Sequence, residues 1–264
     1  MALFTDASIS TLDQIALQDT GVLDVASTEG IDAAAKIALA QEELGVEMAS
    51  AISRSAFSRT TPSSWWPGSV GTSLTSLTLT NIAVTPPLRL WHTFHTLELI
   101  YRDAYGTQLN DRYLSKWKEY QDLSKWASIM LLQTGIGVVL NPIVIADSPE
   151  IDLLSGSLPA TTYYVQVAWL NASGEEGMAS PVASINAPDH NSVQVKPKKP
   201  PTNAASWNLY AGTAVDSIML QNASPVNVDQ IWTMPPSGLA QGCNPGQGQE
   251  PNYFSQLPRF LQRG

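Results

Sequence analysis

The sequence contains one cysteine, Cys243, and only 14% of its 264 residues are charged. A lone cysteine excludes a disulfide framework and a thiolate metal cluster within this sequence. Soluble domains usually carry about 25% charged residues, so much of the surface must be formed by small and uncharged polar residues or be covered by other chains. Eight tryptophans point the same way, because tryptophan is enriched where proteins meet.

Basic residues are also scarce: 14 Lys and Arg face 23 Asp and Glu, which gives a net charge of −9. Residues 1–59 hold nine acidic and three basic residues, a net charge of −6. An acidic surface repels the phosphate backbone, so ordinary nucleic-acid binding is disfavoured. Two interpretations stay open: solvated acidic helix faces, or a repelling lining for a DNA conduit.

Long apolar runs are missing. The most apolar stretch, residues 129–145, is interrupted by polar residues, Gly and Pro, and it falls short of the roughly 20 apolar residues that cross a bilayer. The first residues lack the basic segment of a secretory signal. We therefore expect a soluble protein without a membrane partner, cytoplasmic at synthesis.

Helical spacing dominates the N-terminal half. A short helix is predicted between Ser10 and Gly21, and Thr28 is predicted to open a longer one that runs to about Phe57. Its apolar face is assigned to a set that is rich in alanine, which suggests close packing against another helix. The members of that set are Ile31, Ala34, Ala35, Ala38, Leu39, Glu42 and Val46.

Two further helices are predicted between Pro86 and Gly135. The first has an apolar stripe and ends near Gly106. The second is capped by Asn110 and presents Tyr113, Trp117, Tyr120, Ser124, Ala127 and Leu131 on one side. The short connection between them predicts antiparallel neighbours in a helical bundle.

Residues 60–87 change character, with Pro and Gly at the start and an alternating run, SLTSLTLTNIAV, at the end. The pattern predicts a long loop that carries a β-hairpin arm. Trp65 and Trp66 in this loop have two interpretations: they pack onto the helices, or they insert into a neighbouring subunit.

After Asn141-Pro142 the apolar period becomes two. TTYYVQVAWLN, MASPVASINA, VQVKP, WNLYAG, SIMLQN and IWTM are separated by turn residues, which is typical of a β-sandwich. Asp147, Glu150 and Asp152 are interpreted as solvated residues of a linker. The stretch 242–264 is rich in Gly, Pro and Gln but ends in large apolar residues, so it is either a disordered end or an arm that docks on another chain.

Catalytic constellations are sparse. His92 and His95 are three residues apart on a helix, a spacing that can hold a metal, but no third ligand is nearby. Cys243 has no histidine close in sequence, and the chain lacks a GxxxxGK[ST] phosphate loop. We predict that the protein is not an enzyme and uses no cofactor or metal.

Two parts of the chain are similar to known families. The helix pair from Leu88 to Thr134 resembles the core of head-to-tail adaptor (head-completion) proteins of tailed bacteriophages. The runs YYVQVAWLNASGEEGMASPVASI, WNLYAGTAVDSIMLQNASPV, IWTMPPSGL and GQGQEPN resemble the fibronectin type III-like modules attached to phage virion proteins. The resemblance implies an α+β chain in three parts: a helical adaptor-like domain (1–146), a fibronectin type III-like sandwich (147–241) and an extended C-terminal docking arm (242–264).

The resemblance also implies a function. Adaptors form rings, usually dodecamers, in the phage neck, joining the portal to the tail and letting DNA pass without sequence recognition. The implied partners are further copies of the chain, the portal protein and a tail or tail-terminator/nozzle protein; the location is the virion neck, after assembly in the host cytoplasm. Docking on the portal through the C-terminal arm falls to Tyr253, Phe254, Leu257, Arg259, Phe260 and Leu261.

The alternative is a tail-associated or capsid-surface binding module, adhesin-like, that carries the fibronectin-like domain. Such a protein is more often trimeric, with repeated β elements and little long helix, and the strong helical half counts against it.

Overall fold

The structure, a computed structural model, describes residues 1–58, 77–108 and 111–256. It is α+β and divides into two compact units: Met1–Asp6 with Leu140–Glu250, and Ala7–Val139 with Pro251–Gly264. Each unit thus combines two stretches that are far apart in sequence. The predicted segments 1–146, 147–241 and 242–264 are consecutive, whereas residues 1–6, 140–146 and 242–250 here belong to the strand-rich unit.

The helical unit contains five α-helices among the described residues: α1 Leu12–Gln18, α2 Val22–Thr28, α3 Ala33–Ser58, α4 Pro86–Gln108 and α5 Leu114–Thr134. Helix α4 packs most extensively against α5 and then against α3. It is buried on nearly every side, for example at Leu88, Phe94, Leu97 and Ile100. The predicted helical N-terminal part is therefore confirmed, with α4 at its centre.

Local sequence signals fix the starts of these helices, including α2, which was not predicted. Thr11 and Gln14 form a reciprocal capping box at α1. Helix α2 follows directly, and Gly30 after it adopts φ +70°, which favours glycine. Asp32 then accepts a hydrogen bond from the backbone N–H of Ala35 (3.1 Å). The long helix consequently begins at Ala33 and not at the predicted Thr28.

The predicted packing face of α3 is wrong. Ile37, Ala40, Leu44 and Met48 are buried, whereas Val46 is 71% exposed, and Ala34, Ala35 and Ala38 are exposed as well. Large side chains remove more apolar area from water than alanines do. The face with Ile, Leu and Met therefore turns inward.

A small ribbon completes the helical unit. Strand β1 (Ile136–Val138) pairs antiparallel with β10 (Tyr253–Ser255), and Ile82 forms a bridge to Val138. The predicted loop or hairpin arm at 60–87 lies largely outside the described residues. Its described end holds a 3₁₀ turn, Leu79–Asn81.

The strand-rich unit contains eight further strands among the described residues: β2 Glu150–Leu158, β3 Thr161–Asn171, β4 Ala183–Ala187, β5 Asn191–Lys196, β6 Ala204–Gly212, β7 Met219–Leu220, β8 Val226–Asn227 and β9 Trp232–Thr233. They form two antiparallel sheets, ordered β2-β5-β9 and β4-β3-β6-β7, with β8 also paired to β6. One core cluster combines Val167 and Trp169 of β3, Leu209 of β6 and Val193 and Val195 of β5. The predicted multi-strand C-terminal region is thus confirmed.

Two predictions in this unit need correction. Glu150–Leu158 is the nine-residue strand β2, not part of a linker. Its sequence, EIDLLSGSL, lacks a clean alternation, so only pairing with β5 reveals it as a strand. The predicted return strand 178–187 is a strand only over Ala183–Ala187.

Within the described ranges, none of the helices combines the length and the apolar character that crossing a bilayer requires.

Candidate interaction surfaces

The residues predicted to dock on a partner are only partly within the described structure. Tyr253 and Phe254 lie in β10, where Phe254 is opposite Gly137 and Tyr253 is opposite Val138. The side chain of Phe254 is 57% exposed. Leu257, Arg259, Phe260 and Leu261 lie outside the described residues, as do Trp65 and Trp66.

Close backbone packing positions the β1–β10 ribbon. A Cβ atom added to Gly137 would lie 2.8 Å from Cγ2 of Thr85 and 3.0 Å from Cγ of Pro251. The backbone N–H of Asn252 donates to the carbonyl oxygen of Val138 (2.8 Å). The described part of the predicted arm is therefore ordered up to β10, and this strand presents Phe254 at the surface.

Helix α5 carries an apolar stripe that faces solvent. Trp126, Ile129 and Met130 are 49%, 44% and 36% exposed. Their i, i+3, i+4 spacing places them together on one side of the helix, away from the buried residues Ala127 and Leu131. This stripe is not among the surfaces predicted from the sequence, although the helical spacing that predicted the core face of α5 also contains its signal.

A second surface lies between α3, α4 and α5. Here a groove of about 320 Å³ is lined by Val46, Met48, Ala51, Trp91, Ser128 and Leu132, together with Glu47 and Ser50. Two residues of α5 line this groove, Ser128 and Leu132. They are rotated away from Trp126 and Met130, since successive residues turn by about 100°, but Leu132 follows Ile129 by three residues and neighbours it. Helix α5 thus contributes to two surfaces that adjoin at Ile129 and Leu132.

The two helical histidines do not form a shared site. His92 is completely buried; its Nε2–H donates to the carbonyl oxygen of Ile37 (3.1 Å), and its Nδ1 lies 3.0 Å from the hydroxyl of Ser10. Burial lowers the pKa of His92 to about 4. His92 is therefore a neutral link between α3, α4 and the segment before α1.

His95 instead joins α3 to α4 through charge. Its Nε2 lies 2.7 Å from a carboxylate oxygen of Glu43 and its Nδ1 lies 3.1 Å from Glu98. Burial works against the charged imidazole, but the hydrogen bonds and charges of Glu98 and Glu43 outweigh it and raise the pKa of His95. This arrangement is an ion-pair network that supports packing.

Asp19 anchors the turn between α1 and α2. Its carboxylate accepts hydrogen bonds from the phenols of Tyr101 (3.0 Å) and Tyr120 (2.7 Å) and from the backbone N–H of Gly21 (3.1 Å). Burial alone would raise the pKa of Asp19, but these hydrogen bonds and Lys116 lower it. The stacked rings of Tyr101 and Tyr120 thus hold a charged carboxylate in place.

The remaining candidates for chemistry stay dispersed. Asp147 pairs with Lys199 (3.1 Å) and Glu150 pairs with Lys198 (3.8 Å). Cys243 is exposed. The described residues contain no group of three or more His, Cys, Asp and Glu side chains that could hold a metal ion.

Comparison of the chain with protein-family models and with curated proteins finds no match.

Proposed function

We propose that the protein is a structural subunit of a tailed-phage neck, where copies form a ring that joins the portal to the tail and lets DNA pass. The main observation in support of this proposal is the apolar stripe of α5, formed by Trp126, Ile129 and Met130. Full burial of one large apolar side chain contributes about 1.5–3 kcal/mol, and each of these three, 36–49% exposed, would gain only the part that is still exposed. A stripe of three on a rigid helix therefore favours a second protein surface.

The groove beside α5 is the proposed acceptor for this stripe. A ring needs two different complementary patches on each subunit, because head-to-tail contacts close around an axis. The stripe and the groove are two different surfaces, which adjoin at Ile129 and Leu132 of α5, and the stripe of one subunit inserts into the groove of the next. Val46, 71% exposed at the groove, becomes covered in this arrangement. Trp65 and Trp66 are proposed to add to the same subunit contacts.

The strand-rich unit is proposed to be an immunoglobulin/fibronectin III-like sandwich. Strand β2 pairs with β5 in one sheet, while β3, β6 and β7 are consecutive in the other, as strands B and E and strands C, F and G are in that fold. Trp169 on β3 is buried, as is the tryptophan on strand C of immunoglobulin domains. Strand β9 takes the remaining edge beside β5.

The arm after β10 is the proposed portal contact, with Tyr253 and Phe254 at its base and Leu257, Arg259, Phe260 and Leu261 beyond it. Apolar anchors of this kind dominate interface energy. The net charge of −9 suits a conduit that does not hold DNA, since like charges repel the phosphate backbone. The neighbour on the other side is proposed to be a tail or nozzle protein.

The ring contact can be tested with one charged substitution on the stripe. We expect the purified chain, alone or with its portal, to form a ring by native mass spectrometry, and Ile129→Asp to remain monomeric. Leu17→Asp is the matched control, because Leu17 is 85% exposed on α1 and lies outside the stripe. A ring of normal stability from Ile129→Asp would refute the contact, and a trimer of the unaltered chain would favour the adhesin-like alternative.

The portal contact requires a separate truncation. A chain that ends at Gln256 keeps β10 and its pairing with β1, so we expect it to form the ring. It should lose binding to immobilised portal, because Leu257 to Leu261 are missing. Portal binding at full strength by this truncated chain would contradict the docking role of the arm.

A further inference from the structure

Strand β2 is the long edge strand of the strand-rich unit. It has nine residues and pairs with β5 on one side only. The edge strands β7, β8 and β9 have two residues each, and β4 has five. Short edge strands are one of the ways in which proteins avoid unwanted strand pairing, and β2 lacks this protection.

The outer side of β2 presents backbone groups that no described residue pairs. The N–H of Gly156 donates to the carbonyl oxygen of His190, and the carbonyl oxygen of Leu158 accepts from the N–H of His190, both at 2.9 Å. The register with β5 is regular from Glu150 to Ser155 and becomes irregular between Ser155 and Leu158. The Gly156 hydrogen bond continues the regular register, so even-numbered backbone groups before the irregularity face β5. Because direction alternates along a regular strand, the N–H and carbonyl of Ser155 face outward. Residues 152–157 are all exposed.

The side chains of this edge are unusual for a solvated strand. Leu153 and Leu154 are adjacent, so they lie on opposite faces of the sheet, yet they are 38% and 37% exposed. On the edge strand β4 the exposed side chains are instead Ser184 and Asn186. A strand that adds to β2 would cover both leucines at once, because each face of the new strand continues a face of the sheet.

Asp152 sets the charge of the edge. Glu150 and Asp152 are both exposed, but Glu150 lies opposite Lys196 on β5 and 3.8 Å from Lys198, so its charge is balanced. No described cation forms an ion pair with Asp152. Opposite charges directly across a strand pair are favourable and like charges are unfavourable. A basic segment is therefore the complementary occupant.

We propose that the free edge of β2 binds an extended segment of a partner protein by strand addition. The segment places apolar side chains on the face of Leu153. On the other face, which Leu154 shares with Asp152, it places a Lys or Arg opposite Asp152 and a Thr beside Leu154. Backbone hydrogen bonds provide the affinity and these side chains the specificity. This binding role concerns the strand-rich unit alone and does not depend on ring formation by the helical unit.

The test uses the full chain and a blocked synthetic peptide, KVTVKVTVK, with a fluorescent label. We expect saturable binding by fluorescence anisotropy and amide shifts in β2 by NMR. A peptide with Glu in place of Lys should not bind, and neither should a KVTVKVTVK peptide with N-methylated amides at alternate positions, since it cannot pair. Absence of binding by KVTVKVTVK, or equal binding by either control peptide, would overturn the proposal.

Two variants locate the site. Asp152→Lys should weaken KVTVKVTVK binding roughly three- to tenfold, whereas Asp216→Lys, the same change at another exposed acid of the unit, should not. Ser155→Pro should abolish binding without loss of folding, because the N–H it removes faces away from β5. Binding unchanged in Asp152→Lys would overturn the proposal. So would a β2-mediated dimer of the chain that Ser155→Pro converts to a monomer, because the edge would then serve a second copy.

Discussion

Trp169 on β3 lies directly opposite Trp207 on β6, and both side chains are 1% exposed or less. Residues opposite one another on an antiparallel pair share a face of the sheet. The two indoles therefore fill the space between the sheets, where Val193 and Val195 of β5 belong to the same core cluster. Packing of the strand-rich unit depends on this pair.

Removal of one indole should unfold this unit at lower denaturant. We expect Trp169→Ala to reduce the free energy of unfolding by about 3–5 kcal/mol, because it leaves a large cavity. Urea titration followed by far-UV circular dichroism measures the loss. Ile231→Ala, at a side chain 48% exposed, should stay within about 0.5 kcal/mol of the unaltered protein. An equal loss of unfolding free energy in both variants would contradict the placement of Trp169 in the core of the strand-rich unit.

Two glycines of the helical unit, Gly137 and Gly106, should differ in their tolerance of substitution by alanine. Gly137→Ala places a methyl group against Thr85 and Pro251, so we expect a loss of about 1–3 kcal/mol from overpacking. Gly106→Ala, with no atom within 4 Å of the added Cβ, should stabilise α4 by up to about 1 kcal/mol. Thermal melting of the two variants should shift the midpoint in opposite directions; a shift of the same sign would count against the tight approach at Gly137.

The Asp19 cluster predicts a stability effect that does not involve the residues of the proposed interfaces. Asp19→Asn keeps the size of the side chain but removes the charge that strengthens the hydrogen bonds from Tyr101 and Tyr120. Hydrogen bonds to charged groups contribute about 1.5–3 kcal/mol each, so we expect a loss of about 2–4 kcal/mol by urea unfolding. Asp24→Asn, at an exposed acid of α2, should be nearly neutral. A neutral Asp19→Asn variant would show that the cluster does not hold the α1–α2 turn.

The buried His92 should make stability fall in mild acid. Its pKa is lowered from 6.5 to about 4, so between these values the unfolded chain binds a proton that the folded chain does not. The stabilising contribution is fully present above pH 6.5 and is lost as pH falls towards 4, to a total on the order of 3 kcal/mol. His92→Gln should flatten this part of the curve of unfolding free energy against pH.

His95 provides the opposite control. Its pKa is raised by Glu98 and Glu43, so its contribution is fully present below pH 6.5 and is lost as pH rises through the folded pKa. His95→Gln should therefore reduce stability more at pH 6 than at pH 9. If both variants, His92→Gln and His95→Gln, changed the slope of unfolding free energy against pH in the same direction, a lowered pKa for His92 and a raised pKa for His95 could not both be correct.

The sequence predicted long elements better than short or long-range ones. The core face of α5, including Tyr120, Ala127 and Leu131, followed directly from its 3.6-residue period. For α3 the helical period is present, but it is compatible with two different buried faces. The face with the larger apolar side chains is the one that packs inward. Strands β1 and β10 have three residues each, too few for a periodic signal, and they exist because residues more than 110 positions apart pair.

The interaction surfaces were predictable only in part. Phe254 could be predicted as a contact residue, because the neighbouring Gly- and Pro-rich sequence cannot form a core that buries a large apolar side chain. The stripe on α5 was not recognised, since Trp126 and Ile129 in an otherwise regular helix look like core residues until packing is known. The free edge of β2 depends on strand order, which a single sequence does not contain.

The division of each unit into two distant stretches has a consequence for synthesis on the ribosome. A nascent chain that has emerged as far as Val139 contains all five described helices, but β1 stays unpaired until its partner strand, Tyr253–Ser255, has been synthesised. The strand-rich unit is also incomplete until then, because its last segment, which ends at Glu250, is synthesised just before that strand. Both units therefore complete their folding almost together, and non-local pairing of this kind is slow. Neither unit can be produced intact by cutting the gene at one point.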